Sequence, residues 1–221
     1  MTLETVAVAL IFAAVGAGAE RLASVWPPDE ASRRPMGPRT IALGAAAALA
    51  AGAIALRSTL PAWALVAYLL VLALLVVLTA TDLEQRRLPH LLLDPLILVA
   101  ALFVPFNPHV APTTALLGAV AGVAFMGALG LMVRGGVALG DLLLVAPLGL
   151  VLGWQGVFVA LFVAGILSAG VSIGLLATRR AGLRSYIPFV PFLVAGAVVA
   201  LVRDPEILGK AAAVVSSLVP S

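Results

Sequence analysis

Long apolar runs separated by short polar loops set the pattern of this chain from end to end. A helix needs about 20 mostly apolar residues to cross a bilayer, with shorter ones tolerated when they tilt or are sheltered by neighbours. On that ruler about eight segments emerge, over 3–25, 40–56, 62–81, 91–106, 113–133, 142–153, 157–178 and 188–202. The sixth is short, because Gly149, Gly153 and the Trp154-Gln155-Gly156 turn leave about a dozen residues of clear helix. It reads equally as a re-entrant or protein-buried piece. The tail 203–221 opens on Arg203-Asp204-Pro205-Glu206 and then turns mildly apolar around Lys210, which predicts an interfacial helix. The first run has Glu4 ahead of it and Arg21 within its end, the reverse of a signal peptide's charge order. It is expected to be a retained helix with its N-terminus outside.

These elements predict an all-α, polytopic transmembrane bundle that forms a single integral membrane domain over 1–221. The longest loop, Pro27–Arg39, is proline-rich and too short to bury a core, and no repeat at solenoid spacing is present. Composition agrees: hydrophobic residues make up 63% of the 221 and charged residues 10%, too little polar surface to cover a soluble core. Glycine and proline, 21 and 15 residues, suit membrane helices, and Gly118 and Gly122 are spaced for close packing in the fifth segment.

The net charge of +3 is an orientation signal and no nucleic-acid footprint, since the arginines are scattered through short loops. The loops after the odd segments hold Arg21, Arg33, Arg34, Arg39, Arg86, Arg87, Arg134, Arg179, Arg180 and Arg184, against Arg57, Arg203 and Lys210 on the other side. That bias places the odd loops in the cytoplasm. With no cysteine, disulfides, thiolate metal sites and cysteine nucleophiles are excluded, and His90 and His109 alone are too few for a histidine-rich metal site. Trp26, Trp63 and Trp154 fall near segment ends and read as interfacial anchors.

Against this background two acids stand out. Asp82 ends one apolar run and Asp141 opens another, both at ends assigned to the same membrane side. Ionisable groups at such places are costly and point to function. Two carboxylates held together cannot both ionise comfortably, so they share a proton; the ionised one can activate a water while the protonated one polarises a carbonyl. Spacing alone also allows both to be solvated loop acids. Gly135, Gly136 and Gly140 loosen the backbone before Asp141, either for close approach of a substrate or as an ordinary loop. Asp94, a turn inside the fourth segment and followed by Pro95, reads mainly as a helix-end acid paired with Arg86 or Arg87. His90 is expected to bond a loop carbonyl, or to stand near Asp82.

Three segments carry a family resemblance. Thr81-Asp82-Leu83 through Leu88-Pro89-His90, then Ala138-Leu139-Gly140-Asp141, then Ile187-Pro188-Phe189-Val190-Pro191-Phe192-Leu193-Val194-Ala195-Gly196, taken in order, resemble the type IV prepilin peptidase family. These are membrane aspartic proteases that include archaeal preflagellin peptidases and carry a GxGD signature. The resemblance covers about residues 62–202. The chain departs from the pattern at Ala138 and Val190, where glycine is usual, at Leu143, where lysine is usual, and at His90, where asparagine is usual. Larger members have a domain with paired Cys-x-x-Cys motifs after the first helix and some add an N-methyl group; the matching loop here, Trp26–Arg39, is short and cysteine-free, which speaks against methylation.

The resemblance implies an aspartic endopeptidase of the plasma (inner) membrane that removes the basic leader of prepilin-like substrates at the cytoplasmic face. Asp82 and Asp141 would be catalytic, Gly140 and Arg134 would help position the substrate backbone, and no cofactor or metal would take part. The substrate and the lipid bilayer are the implied partners; the sequence fixes no oligomeric state. The rivals are a small proton-coupled transporter, which calls for an acid nearer the midplane and an internal repeat, and a catalytically inert pilin-assembly subunit.

Overall fold

A computed structural model describes residues 3–26, 32–58, 60–132, 138–179 and 187–203. Among these the chain is helical and contains no strand. Seven α-helices follow one another: α1 (Leu3–Val25), α2 (Pro38–Arg57), α3 (Ala62–Gln85), α4 (His90–Phe103), α5 (Pro112–Met132), α6 (Leu139–Ala177) and α7 (Val190–Val202). A short 3-10 turn, Val104–Phe106, extends α4. Helices α1, α2, α3, α5 and α6 are long and apolar enough to cross a membrane, and α4 and α7 are shorter apolar helices. The chain is a multi-pass membrane protein. Arg134, Gly135, Gly136 and the tail from Asp204 onward lie outside the described residues.

The sixth and seventh expected segments are both present, as the two arms of α6. Gly153 interrupts that helix with φ 70° and ψ 178°, a region only glycine occupies readily. A straight helix would hold Val145 and Val157 about 18 Å apart. Instead both crowd one spot on α5: a Cβ built on Gly122 would meet Val145 Cγ1 at 2.8 Å and Val157 Cγ2 at 3.2 Å. The chain therefore doubles back at Gly153, and arms 139–152 and 154–177 both pack on α5. The expected Trp154-Gln155-Gly156 turn is replaced by this single-residue reversal, after which those three residues are already helical. Asn107 stabilises the reversal: its Nδ2 donates to the Val151 carbonyl at 3.0 Å, and its Oδ1 accepts from the Tyr68 hydroxyl at 2.8 Å.

Lipid tails are as apolar as the side chains they touch, so helices here associate by close packing. Gly118 packs directly on the backbone of Gly149 and Gly153, and Gly16 on Gly44, joining α5 to α6 and α1 to α2. Helix α3 forms the centre, with Leu72, Leu75 and Leu78 buried and contacts to α1, α4 and α7. Its last turn meets the end of α1 and the start of α7, and the start of α6 shares a cavity with it, so these helix ends gather at one end of the bundle.

Candidate active site

The two acids singled out in the sequence come together there. Asp82, in the last turn of α3, is 2% exposed, and Asp141, the third residue of α6, is 5% exposed. Both line a cavity of about 250 Å³. Such a cavity has room for a water and a stretch of peptide backbone, since a water's share of liquid volume is about 30 Å³.

Asp82 is held by a backbone amide that a helix start leaves free. The Val190 N–H, at the first turn of α7, donates to Asp82 Oδ2 at 3.1 Å. The third sequence motif is thus the element that orients the first aspartate, a role its apolar residues did not betray. Asp141 lies in the first turn of α6, three residues after its N-cap Ala138, where the free amides of a helix start favour a carboxylate. Helix α3 stops because Arg86 adopts a left-handed conformation, φ 55° and ψ 35°, while its N–H still reaches the Asp82 carbonyl at 2.9 Å. A left-handed residue other than glycine is uncommon. It turns the chain so that Arg86, Arg87 and Leu88 form one wall of the cavity.

Gly140 also lines the cavity, against Leu88. A Cβ at this position would lie 3.0 Å from Leu88 Cδ1, so the glycine lets the loop after α3 rest against the start of α6. Leu143, where the resemblance leads one to expect lysine, also faces the cavity and brings no charge to it. His90 stands at the rim, exposed, with its Nδ1 3.4 Å from Asp94 Oδ1. Asp94 is itself exposed and does not line the cavity. Arg134 falls outside the described residues. Among those residues no three His, Cys, Asp or Glu side chains are grouped to hold a metal ion.

A clamp behind Asp82 went unread in the sequence. Gln85 Nε2 donates to the carbonyls of Ala23 at 3.0 Å and Trp26 at 2.7 Å, at the end of α1. Glu84 pairs with Arg34, and Arg39 lies 3.8 Å away. Glu20 accepts from the Thr40 hydroxyl at 2.7 Å, which joins α1 to the first turn of α2. The last turn of α3 is therefore fastened to the first helical hairpin on two sides. A run of Glu-Gln-Arg at the end of an apolar helix was the available signal.

Residues 69–173 match the type IV leader peptidase family. A protein of Burkholderia pseudomallei (strain 1026b) named prepilin leader peptidase/N-methyltransferase is 36% identical over 159 residues, covering 69% of this chain and 50% of that protein. Proteins of the same name from Aeromonas hydrophila and Bacillus subtilis (strain 168) are 34% and 30% identical, covering 70% and 62% of this chain and 55% of each relative. The chain spans about half the length of these curated relatives. No solved structure is significantly similar to it. The stretch that carries both buried aspartates is the part of the chain that matches the type IV leader peptidase family.

Proposed function

We propose that the protein is a membrane aspartic endopeptidase that cuts the basic leader from prepilin-like substrates at the cytoplasmic face, with Asp82 and Asp141 as its catalytic pair. The observation that carries this reading is the shared cavity: two nearly buried carboxylates, Asp82 fixed by the Val190 amide and Asp141 in the first turn of α6, wall one small space at the end of the bundle. The names of the relatives support the substrate class. The arginine bias supports the cytoplasmic side, and Arg34, Arg39 and Arg86 do gather around the end of α3 that bears Asp82.

The chemistry follows from sharing one proton. The ionised carboxylate takes a proton from a water held between the pair, and the water oxygen adds to the scissile carbonyl while the protonated carboxyl gives its proton to the carbonyl oxygen. Collapse of the resulting gem-diol breaks the C–N bond. The departing nitrogen receives a proton from the carboxyl that took one from water, and the second carboxylate recovers its own from the diol. No covalent enzyme intermediate forms. Helix-end positions for both acids favour this chemistry over proton-coupled transport, which needs a carboxylate deep in the bilayer.

Co-expression with a prepilin-like protein tests the proposal. Appearance of mature pilin, cut after the leader, is the expected result. Accumulation of uncut precursor bound to the protein would instead identify an inert assembly subunit.

A further inference from the structure

A second and larger cavity, about 840 Å³, runs along the side of the bundle. Its walls extend from Ala42 to Ala53 on α2 and from Leu72 to Leu83 on α3, with Pro191 to Val198 of α7 opposite. Both long walls cover eleven residue steps, or roughly 16 Å, three turns of helix. The space is thus a trough long enough for three turns of one helix. It opens sideways, since Ala46 and Leu49 on its rim are exposed and Leu49 is 74% so. Helix α2 leans chiefly on α1 and touches α3 and α7 little, which leaves the trough between them.

One end of the trough is charged, bearing Glu20, Glu84, Arg39 and Arg86. Arg86 also lines the aspartate cavity, and Pro188, at the same end, lies two residues before the amide that holds Asp82. An apolar helix lying in the trough therefore delivers the segment before it to the two aspartates.

We infer that the trough between α2, α3 and α7 is the docking surface for the apolar helix of the substrate, entered sideways from the bilayer. The inference rests on the peptidase reading above and assigns the substrate's membrane portion a seat on this chain. Small side chains on α2 set its depth: Ala42, Ala46 and Ala50 recur at one-turn spacing along the wall. Their enlargement should weaken docking and leave the chemistry intact.

The native chain lacks cysteine, so cross-linking is clean. In Asp82→Asn, which retains uncut precursor, Ala46→Cys is paired with cysteines placed along the apolar helix of a co-expressed prepilin-like protein. Leu117→Cys, on the exposed face of α5, is the control. The expected result is oxidative cross-linking at Ala46 with helical periodicity in the substrate and none at Leu117. Cross-linking at neither site, equally at both, or only at Leu117, overturns the proposal and leaves a lipid-filled trough. In parallel, Ala46→Phe in the active protein is expected to raise KM about tenfold on full-length precursor with kcat unchanged, and to leave cleavage of a short leader peptide lacking the helix at the wild-type rate. Unchanged KM in Ala46→Phe also overturns it. Failure of the wild-type chain to cut either substrate, with cross-linking at Ala46 intact, rejects the peptidase reading and keeps the docking surface.

Discussion

Replacing Gly153 with alanine perturbs the reversal on which the position of Asp141 depends. At φ 70° and ψ 178° the backbone sits in territory that costs a residue with a side chain about 1–3 kcal/mol. The new Cβ would also meet Val110 Cγ1 at 3.0 Å, tighter than ordinary packing, and the valine must yield by a few tenths of an ångström. Together these effects destabilise the fold by roughly 2–4 kcal/mol, near the upper range for a single substitution. At about 2–4 °C per kcal/mol for a chain of this size, the midpoint of thermal unfolding in detergent should fall by roughly 5–15 °C. Gly165→Ala is the matched control, because it lies within the second arm of α6 with nothing within 4 Å of its Cβ site. There alanine removes a helix penalty of up to about 1 kcal/mol and should leave the midpoint level or slightly raised. Equal midpoints for Gly153→Ala and the unmodified protein would show that the reversal carries no strain and refute the hairpin reading of α6.

Gln85→Leu removes two hydrogen bonds onto the end of α1, each worth about 1 kcal/mol net, and frees the turn that carries Asp82; kcat for leader removal is expected to drop roughly tenfold with precursor binding kept. Full activity in that variant would show that the clamp does not position the aspartate. Asp94→Asn, exposed and away from the cavity, should retain most processing activity, as read from the ratio of mature to precursor pilin in membranes. A cysteine at Ser32 should label only from the cytoplasmic side in oriented vesicles, and labelling only from outside would invert the topology and remove the substrate argument.

Hydropathy alone marked every helix of the bundle, because a bilayer demands long apolar runs and tolerates little else between loops. The weakest segment, 142–153, turned out to be one arm of a hairpin whose turn is a single glycine, and a lone glycine in an apolar run carries no sign of its φ value. Both acids were legible because charge at a helix end in so apolar a chain is conspicuous. What holds them was not. The amide of Val190 is a backbone group like that of any non-proline residue, and only the three-dimensional arrangement aims it at the Asp82 carboxylate. The same applies to the trough, which depends on how α2 leans away from α7 and has no signature beyond alanines common in any membrane helix.

The central claim is that Asp82 and Asp141 act as one acid–base unit, and single Asp→Asn substitutions address it most directly. Asparagine preserves shape, and at position 82 its carbonyl can still accept from the Val190 amide, so the fold and precursor binding are expected to persist while the ionisable proton site is lost. The account predicts that Asp82→Asn and Asp141→Asn each abolish conversion of precursor to mature pilin at matched protein levels. The double variant should be scarcely worse than either, as expected for residues that work as a unit. Efficient processing by either single variant would contradict it.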